Sequence, residues 1–305
     1  MKQISTLFFF NLLAMLAIAQ NETKTVNENN SLLWKITGKG LEKPSYLYGT
    51  IHLLCSEDAV FSDSLKNVIS GCDEVYLEVN INDIFEMMGV MGQMKMRGDT
   101  TLTDLLTPAE YEKVKNFFEK KNSLVPFSVL ETFKPFLTAS TLSEASLSCE
   151  STVIMEQMIA EEAEKSSKKV KGLETMAYQA GILDSIPYKQ QAQELVKFID
   201  NIGKTQGEDT ELTELVDAYM NQDLEKMETM MLKSDIGINN YTELLLYRRN
   251  RNWVEKLKSL LPEKALLIAV GAGHLPGEQG VINLLRKEGF TVTPVANKIK
   301  KLKSI

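Results

Sequence analysis

The only two imidazoles in this chain belong to His52 and His274, and each stands three residues after a glycine, in Gly49-Thr-Ile-His52 and Gly271-Ala-Gly-His274. An apolar run of strand length precedes each: Tyr46-Leu-Tyr48 in the first case, Leu266-Leu-Ile-Ala-Val270 in the second. A strand, a tight Gly turn and then a polar side chain is the layout that delivers that side chain to the carboxyl edge of a sheet, where ligands of open α/β sheets sit. Carboxylates keep them company. Glu78 follows the apolar run Val75-Tyr-Leu77, and Glu174 follows Lys169-Val-Lys-Gly-Leu173. Two histidines with carboxylates can supply the three protein ligands of a catalytic metal that leaves one position open for water. Such a metal lowers the pKa of its bound water and makes a nucleophile at neutral pH. The candidate ligands are His52 and His274, with either Glu78 or Glu174 as the third and the other glutamate as general base. Arg249, next to Asn250, is the group to face developing oxyanion charge, because guanidinium stays cationic and donates in a fork. The plainer alternative is two structural histidines in Gly turns; their identical local setting raises a shared site to an equal footing.

These residues need elements to carry them. Residues 32–37 and 45–51 around a Gly/Lys/Pro turn predict a β-hairpin whose second strand ends at His52. A short helix over 62–70 and a strand over 73–79 follow, the latter placing Glu78 near its carboxyl end. From 81 to 207 the pattern is mostly helical. Thr107-Pro108-Ala-Glu110 is a helix start, with an N-cap Thr, Pro in the first position and Glu at N3. Met87, Met88, Met91, Met94 and Met96 fit a helical core stripe first, and secondly a soft surface for apolar peptides. A charged amphipathic helix over 154–165, a brief strand over 169–173 and helices over 186–202, 210–220, 224–232 and 240–260 come next. Strand 265–270, the His274 turn, helix 278–288 and strand 290–294 close the chain as a βαβ-like unit. The expected fold is α/β: a central mixed sheet carrying two Gly-x-x-His strand ends, with a large helical cap over about 81–260.

The termini and cysteines add context. Lys2, the apolar run 7–16 and Ala17-Ile18-Ala19 predict a signal peptide over 1–19, and hence an exported protein, periplasmic or secreted. Residues 20–31 read as a flexible polar leader, 32–297 as one α/β domain, and 298–305 as a basic tail. No later run approaches the roughly 20 apolar residues of a membrane span. Three cysteines permit at most one bridge; Cys55 with Cys72 is one pairing and three buried thiols are the other reading. A net charge of −7 argues against nucleic acid as partner. His-Glu-x-x-His, Gly-x-Ser-x-Gly, Walker A and Cys-x-x-Cys motifs are absent.

Gly49-Thr-Ile-His52, Tyr76-Leu-Glu78, Gly172-Leu-Glu-Thr175 with Gln179, Arg249-Asn250 before Trp253, and Gly271-Ala-Gly-His274 occur in the order seen in the TraB/GumN family, which the chain resembles from about 30 to 297. Cys149-Glu150 departs from the Gly-Asp that many of its members carry. That family is similar to the Tiki metal-dependent proteases and, more broadly, to erythromycin esterase-like and haem-binding ChaN-like proteins. The resemblance implies an α/β core, a divalent metal (Mn²⁺ or Co²⁺, with Zn²⁺ as another option) and hydrolysis of a peptide or protein substrate. It carries His52, Glu78, His274 and Arg249 over as functional positions. Two non-catalytic alternatives use the same pocket: one binds haem, the other holds a peptide without cutting it.

Overall fold

The computed structural model describes residues 30–120, 125–143, 147, 149–204, 210–233 and 241–298. The predicted signal peptide, nearly all of the leader and the basic tail beyond Lys298 lie outside the described residues. Eight strands form: β1 (Leu33–Thr37), β2 (Ser45–Thr50), β3 (Leu54–Cys55), β4 (Glu74–Leu77), β5 (Thr152–Val153), β6 (Lys169–Gly172), β7 (Leu266–Gly271) and β8 (Thr291–Pro294). Six of them make one mixed sheet in the order β6-β4-β7-β2-β1-β8. The predicted hairpin is β1–β2, paired antiparallel. β2, β7, β4 and β6 are parallel neighbours. A parallel strand covered on both faces is apolar throughout, and Leu266 to Val270 of β7 is buried along its whole length.

Helices α1 (Asp63–Gly71), α2 (Ile84–Val90), α3 (Leu102–Leu105), α4 (Pro108–Lys120), α5 (Phe127–Leu130) and α6 (Pro135–Ser143) precede β5. Then come α7 (Met155–Lys165), α8 (Met176–Leu183), α9 (Tyr188–Lys204), α10 (Thr210–Met220), α11 (Leu224–Lys233), α12 (Arg248–Leu260) and α13 (Val281–Lys287). Local chemistry sets several of these starts. Ser62 caps α1 by accepting from the Leu65 N–H. At α4 the predicted box forms: the Thr107 N–H donates to Glu110 and the Glu110 N–H returns to Thr107 Oγ1. The sheet core and a separate apolar cluster under α3, α4, α5, α6 and α9 are built from different residues. The helical cap thus encloses its own interior. Among the described residues no helix is long and apolar enough to cross a membrane.

Two sequence expectations are corrected. Cys55 is bonded to Cys149, across 94 residues, and Cys72 is a buried free thiol. β3 and β5 pair antiparallel beside that bridge, so the cysteines meet because their strands do. Cys72 is held elsewhere, its buried thiol donating to the Ile69 carbonyl. The methionine run is not a core stripe either: Met87, Met88 and Met91 are exposed at 45%, 67% and 63%, and only Met96 is buried. α2 lies on the surface with no buried residue, so its apolar periodicity serves something other than the core.

Candidate active site

Adjacency of parallel strands decides the site. Gly49 of β2 lies opposite Val270 of β7, and Thr50 opposite Gly271, so the two Gly-x-x-His segments leave the sheet side by side. On the other flank Leu77 of β4 pairs with Ala269 of β7 and with Gly172 of β6. Glu174, Glu78, His274 and His52 therefore follow the ends of four neighbouring parallel strands at one carboxyl edge. The glycines make room. A Cβ on Gly49 would sit 2.8 Å from Leu275 and 3.1 Å from the Ala272 backbone, and one on Gly271 would sit 3.2 Å from Glu78 Oε1. Glycine three residues before each histidine is what lets the turn, and the carboxylate, close on the strand ends.

His274 is buried at the end of a 3₁₀ turn, Ala272–His274. Asn250 holds it twice. The Asn250 amide donates to the carbonyls of His274 (3.4 Å) and Gln279 (2.8 Å), which leaves Oδ1 to accept from His274 Nδ1–H at 2.6 Å. That fixes the tautomer and leaves Nε2 with its lone pair, 3.2 Å from Arg249 Nη1 and 3.7 Å from Glu78 Oε1. Burial lowers the His274 pKa to about 3, against the pull of Glu78, so the ring is neutral at neutral pH. The Trp253 ring packs 4.5 Å from it.

Arg249 is the hub. It enters α12 directly after a π-helical turn, Glu243–Tyr247, a feature that often marks functional helices. Its Nη2 donates to Glu78 Oε2 at 2.5 Å and to Glu174 Oε1 at 2.6 Å, and its Nε to Glu174 Oε1 at 2.8 Å. Its Nη1 donates to the Leu245 carbonyl at 2.9 Å. The guanidinium also lies over Trp253, 4.7 Å from the ring centroid. Burial works against that charge, but Glu78 and Glu174 raise the Arg249 pKa further. Gln179 bridges the two carboxylates at 3.1 and 2.9 Å, and Trp253 Nε1 donates to Glu174 Oε2 at 2.9 Å. Burial alone would raise the Glu78 carboxyl; the neighbouring positive groups and the Gly271 N–H, 2.8 Å from Oε1, lower it to about 2. Because His274 is neutral, Arg249, the charged His52 and that N–H are what keep Glu78 ionised near pH 7.

His52 stands apart in character. Its side chain is 76% exposed, and its Nδ1 lies 3.0 Å from Glu156 Oε1. The Glu156 carboxylate bonded to it raises the His52 pKa to about 9. Thr50 donates to the same Glu156 oxygen at 2.6 Å, while the buried Oε2 has no hydrogen-bond partner. Thr50, His52, Glu78, Tyr219, Arg249 and His274 all face one cavity of about 300 Å³.

The fit of a divalent metal can be judged from these donors. His274 Nε2 and Glu78 Oε1 are a neutral imidazole and an ionised carboxylate facing each other, with the imidazole's other nitrogen anchored, which suits such an ion. The third predicted ligand, His52, is tethered to Glu156, and among the described residues no three His, Cys, Asp or Glu side chains are gathered as a ready metal site. The chemistry of His274 and Glu78 fits such an ion; His52 shares their cavity but is bonded to Glu156 and not gathered with them. Glu174, offered by the sequence as ligand or base, has both oxygens engaged in bracing Arg249, Gln179 and Trp253.

The sequence signature of the TraB/PrgY/gumN family matches residues 32–294, a span containing every position described above. The chain belongs to that family. Metalloprotease TIKI1 of Homo sapiens is 24% identical to this TraB/PrgY/gumN protein over 335 residues, covering 91% of this chain and 65% of its own length. Metalloprotease TIKI1 of Danio rerio is 24% identical, covering 86% and 63%. A metalloprotease TIKI homolog of Nematostella vectensis is 22% identical, covering 86% and 66%. The chain thus spans a little under two thirds of the length of the first two of these relatives. No solved structure matches it.

In this family member, sequence reasoning missed Glu156. The signal was present: on α7 the buried face is Met155, Glu156, Ile159, Ala160 and Ala163, so a carboxylate sits inside an apolar stripe. Its pairing with His52 has a measurable consequence. In chelator-treated protein, the His52 ring protons should titrate above the ordinary histidine midpoint, and Glu156→Gln should bring that midpoint down. The raised His52 value means its bond to Glu156 stabilises the fold fully below the ordinary histidine pKa and less and less as pH rises through about 9; the lowered Glu156 pKa means the same bond is lost in acid. Identical NMR titration curves for wild type and variant would contradict the pairing.

Proposed function

We propose that this TraB/PrgY/gumN protein is an exported, metal-dependent peptidase whose centre is the row of His52, Glu78, Glu174, Arg249 and His274 at the carboxyl edge of the sheet. The observation that carries this reading is the convergence on one cavity of both Gly-x-x-His segments with Glu78 and the Arg249 guanidinium. The metalloprotease names of the similar proteins support it. His274 and Glu78 would hold a divalent ion, with His52 as third ligand; by resemblance Mn²⁺ or Co²⁺ is favoured, and Zn²⁺ is compatible with the same donors. When bound, the ion supplies Lewis acidity and a more acidic water.

The chain's own residues do the rest. Asn250 keeps His274 in the tautomer whose Nε2 carries the lone pair, which accepts from Arg249 Nη1 and would exchange that bond for an ion. Glu174, itself held by Gln179 and Trp253, fixes Arg249; with its N–H groups taken up by Glu78, Glu174, the Leu245 carbonyl and His274, the guanidinium would act through the field of a fixed positive charge and not as a free donor. Glu78, ionised and desolvated, carries the negative charge that attracts a cation into the cavity. The separation of His52 from the other donors favours one alternative, a protein that holds a peptide without cutting it.

Metal analysis and mass spectrometry separate the two. After loading with Mn²⁺, Co²⁺ or Zn²⁺, the wild type should retain metal through desalting and produce time-dependent peptide fragments. His52→Ala should lose roughly tenfold or more in metal affinity, in line with the loss of even outer partners of metal ligands, and should cleave more slowly. Equal retention and equal cleavage in both proteins would sink the peptidase reading, and binding without fragments would leave the holding alternative.

A further inference from the structure

A second cavity, of about 310 Å³, lies on the other side of Arg249. Met94, Leu137, Met176, Ile182, Leu183 and Leu245 line it, and the two polar side chains on its wall are Gln179 and Arg249. Leu245 and Arg249 also line the first cavity, so the two spaces share a wall that includes the guanidinium bonded to Glu78 and Glu174. One rim is formed by the segment of α2 and the following 3₁₀ turn, Met91–Met94, whose Val90 and Met94 reach the cavity. The outer surface of that segment is unusually apolar: Phe85 is 83% exposed, Met88 67%, Met91 63% and Ile84 59%. Large apolar side chains standing in water on one short segment mark a contact surface, and unbranched Met suits varied apolar partners.

We propose that this second cavity is a specificity subsite that takes one large apolar side chain of a peptide. The inference rests on the peptidase reading for its use in catalysis. Three observations select the occupant. The wall is aliphatic and thioether-rich, so burial of an apolar side chain is favoured. The one cation on it, Arg249, is already matched by Glu78 and Glu174, so an acidic side chain would find no free counter-charge. And Arg249, which lines both cavities, bonds Glu78 and Glu174 and lies 3.2 Å from His274, so a side chain in this cavity would touch the residue that connects it to the first one.

The test uses the full chain and peptides that differ at one central position, Leu, Ala or Asp. In metal-loaded wild type, kcat/KM for Leu should exceed that for Ala by at least roughly tenfold, the range a filled apolar pocket gives, with Asp poorest. Ala180→Phe, which fills the cavity from α8, should bring the Leu-to-Ala ratio close to one. Met94→Ala, which enlarges it from a half-buried position, should shift preference toward Trp and carries the test if Ala180→Phe does not fold by circular dichroism. The same peptides labelled with fluorescein are titrated by anisotropy without added metal. Cleavage with no Leu preference would overturn the subsite and leave the peptidase standing. Leu-selective binding that Ala180→Phe abolishes, with no cleavage by wild type, would support the subsite and overturn the peptidase. Neither cleavage nor selective binding would remove both.

Discussion

Arg249→Met should be the most damaging single change, lowering unfolding free energy by roughly 3–5 kcal/mol because it breaks a buried ion pair from one side. Glu78 and Glu174 are both under 10% exposed at the side chain and both bond the same guanidinium. Without it, two carboxylates share one desolvated space, and one of them must take up a proton. Hydrolysis should fall by roughly 10²–10³, because the preorganised positive charge of the site is removed and Glu78 loses its anchor. Arg249→Lys should retain part of the stability but little of the activity. A single ammonium cannot meet Glu78, Glu174, the Leu245 carbonyl and His274 Nε2 from one fixed plane. Urea unfolding alongside kcat/KM checks both halves; a wild-type midpoint in Arg249→Met would show that the two carboxylates do not depend on it.

The second large effect concerns His274. His274→Ala removes the one imidazole in the buried part of the site, whose Nε2 lone pair now accepts from Arg249, and should abolish metal-dependent cleavage. Asn250→Ala is the sharper experiment, because it leaves the histidine in place. Its loss frees the ring to take the other tautomer and releases the carbonyls of His274 and Gln279. Metal affinity or activity should fall roughly 10–100-fold, the usual effect of removing the partner that orients a ligating histidine. An unsatisfied buried N–H should also cost about 1–3 kcal/mol. If Asn250→Ala binds metal and cleaves as wild type does, the tautomer is not what Asn250 provides.

The apolar runs 46–48 and 266–270 and the glycines after them marked the strand ends carrying His52 and His274. Thr107 and Glu110 marked a helix start that the structure forms with both capping bonds. These are local signals: backbone propensity, side-chain period and caps act over a few residues. Pairings between distant segments carry no such signal. Three cysteines left the bridge between Cys55 and Cys149 undetermined until β3 met β5. The methionine run had a helical period either way, and only the packing of α2 against α8 rather than under the cap left Met87, Met88 and Met91 in solvent.

Residue types alone determined that this protein has two equivalent imidazole-bearing turns, acidic residues close to strand ends, and an arginine with an adjacent amide available to them. Tertiary structure decided which of these touch. It set four parallel strands side by side, so that Glu174 became a brace for Arg249, Asn250 a clamp on His274, and Glu156 the partner of His52. The reason is physical: a strand's own residues specify which face and which end a side chain occupies, but strand order is chosen by the burial of the whole sheet and its covering helices, a sum over contacts hundreds of residues apart.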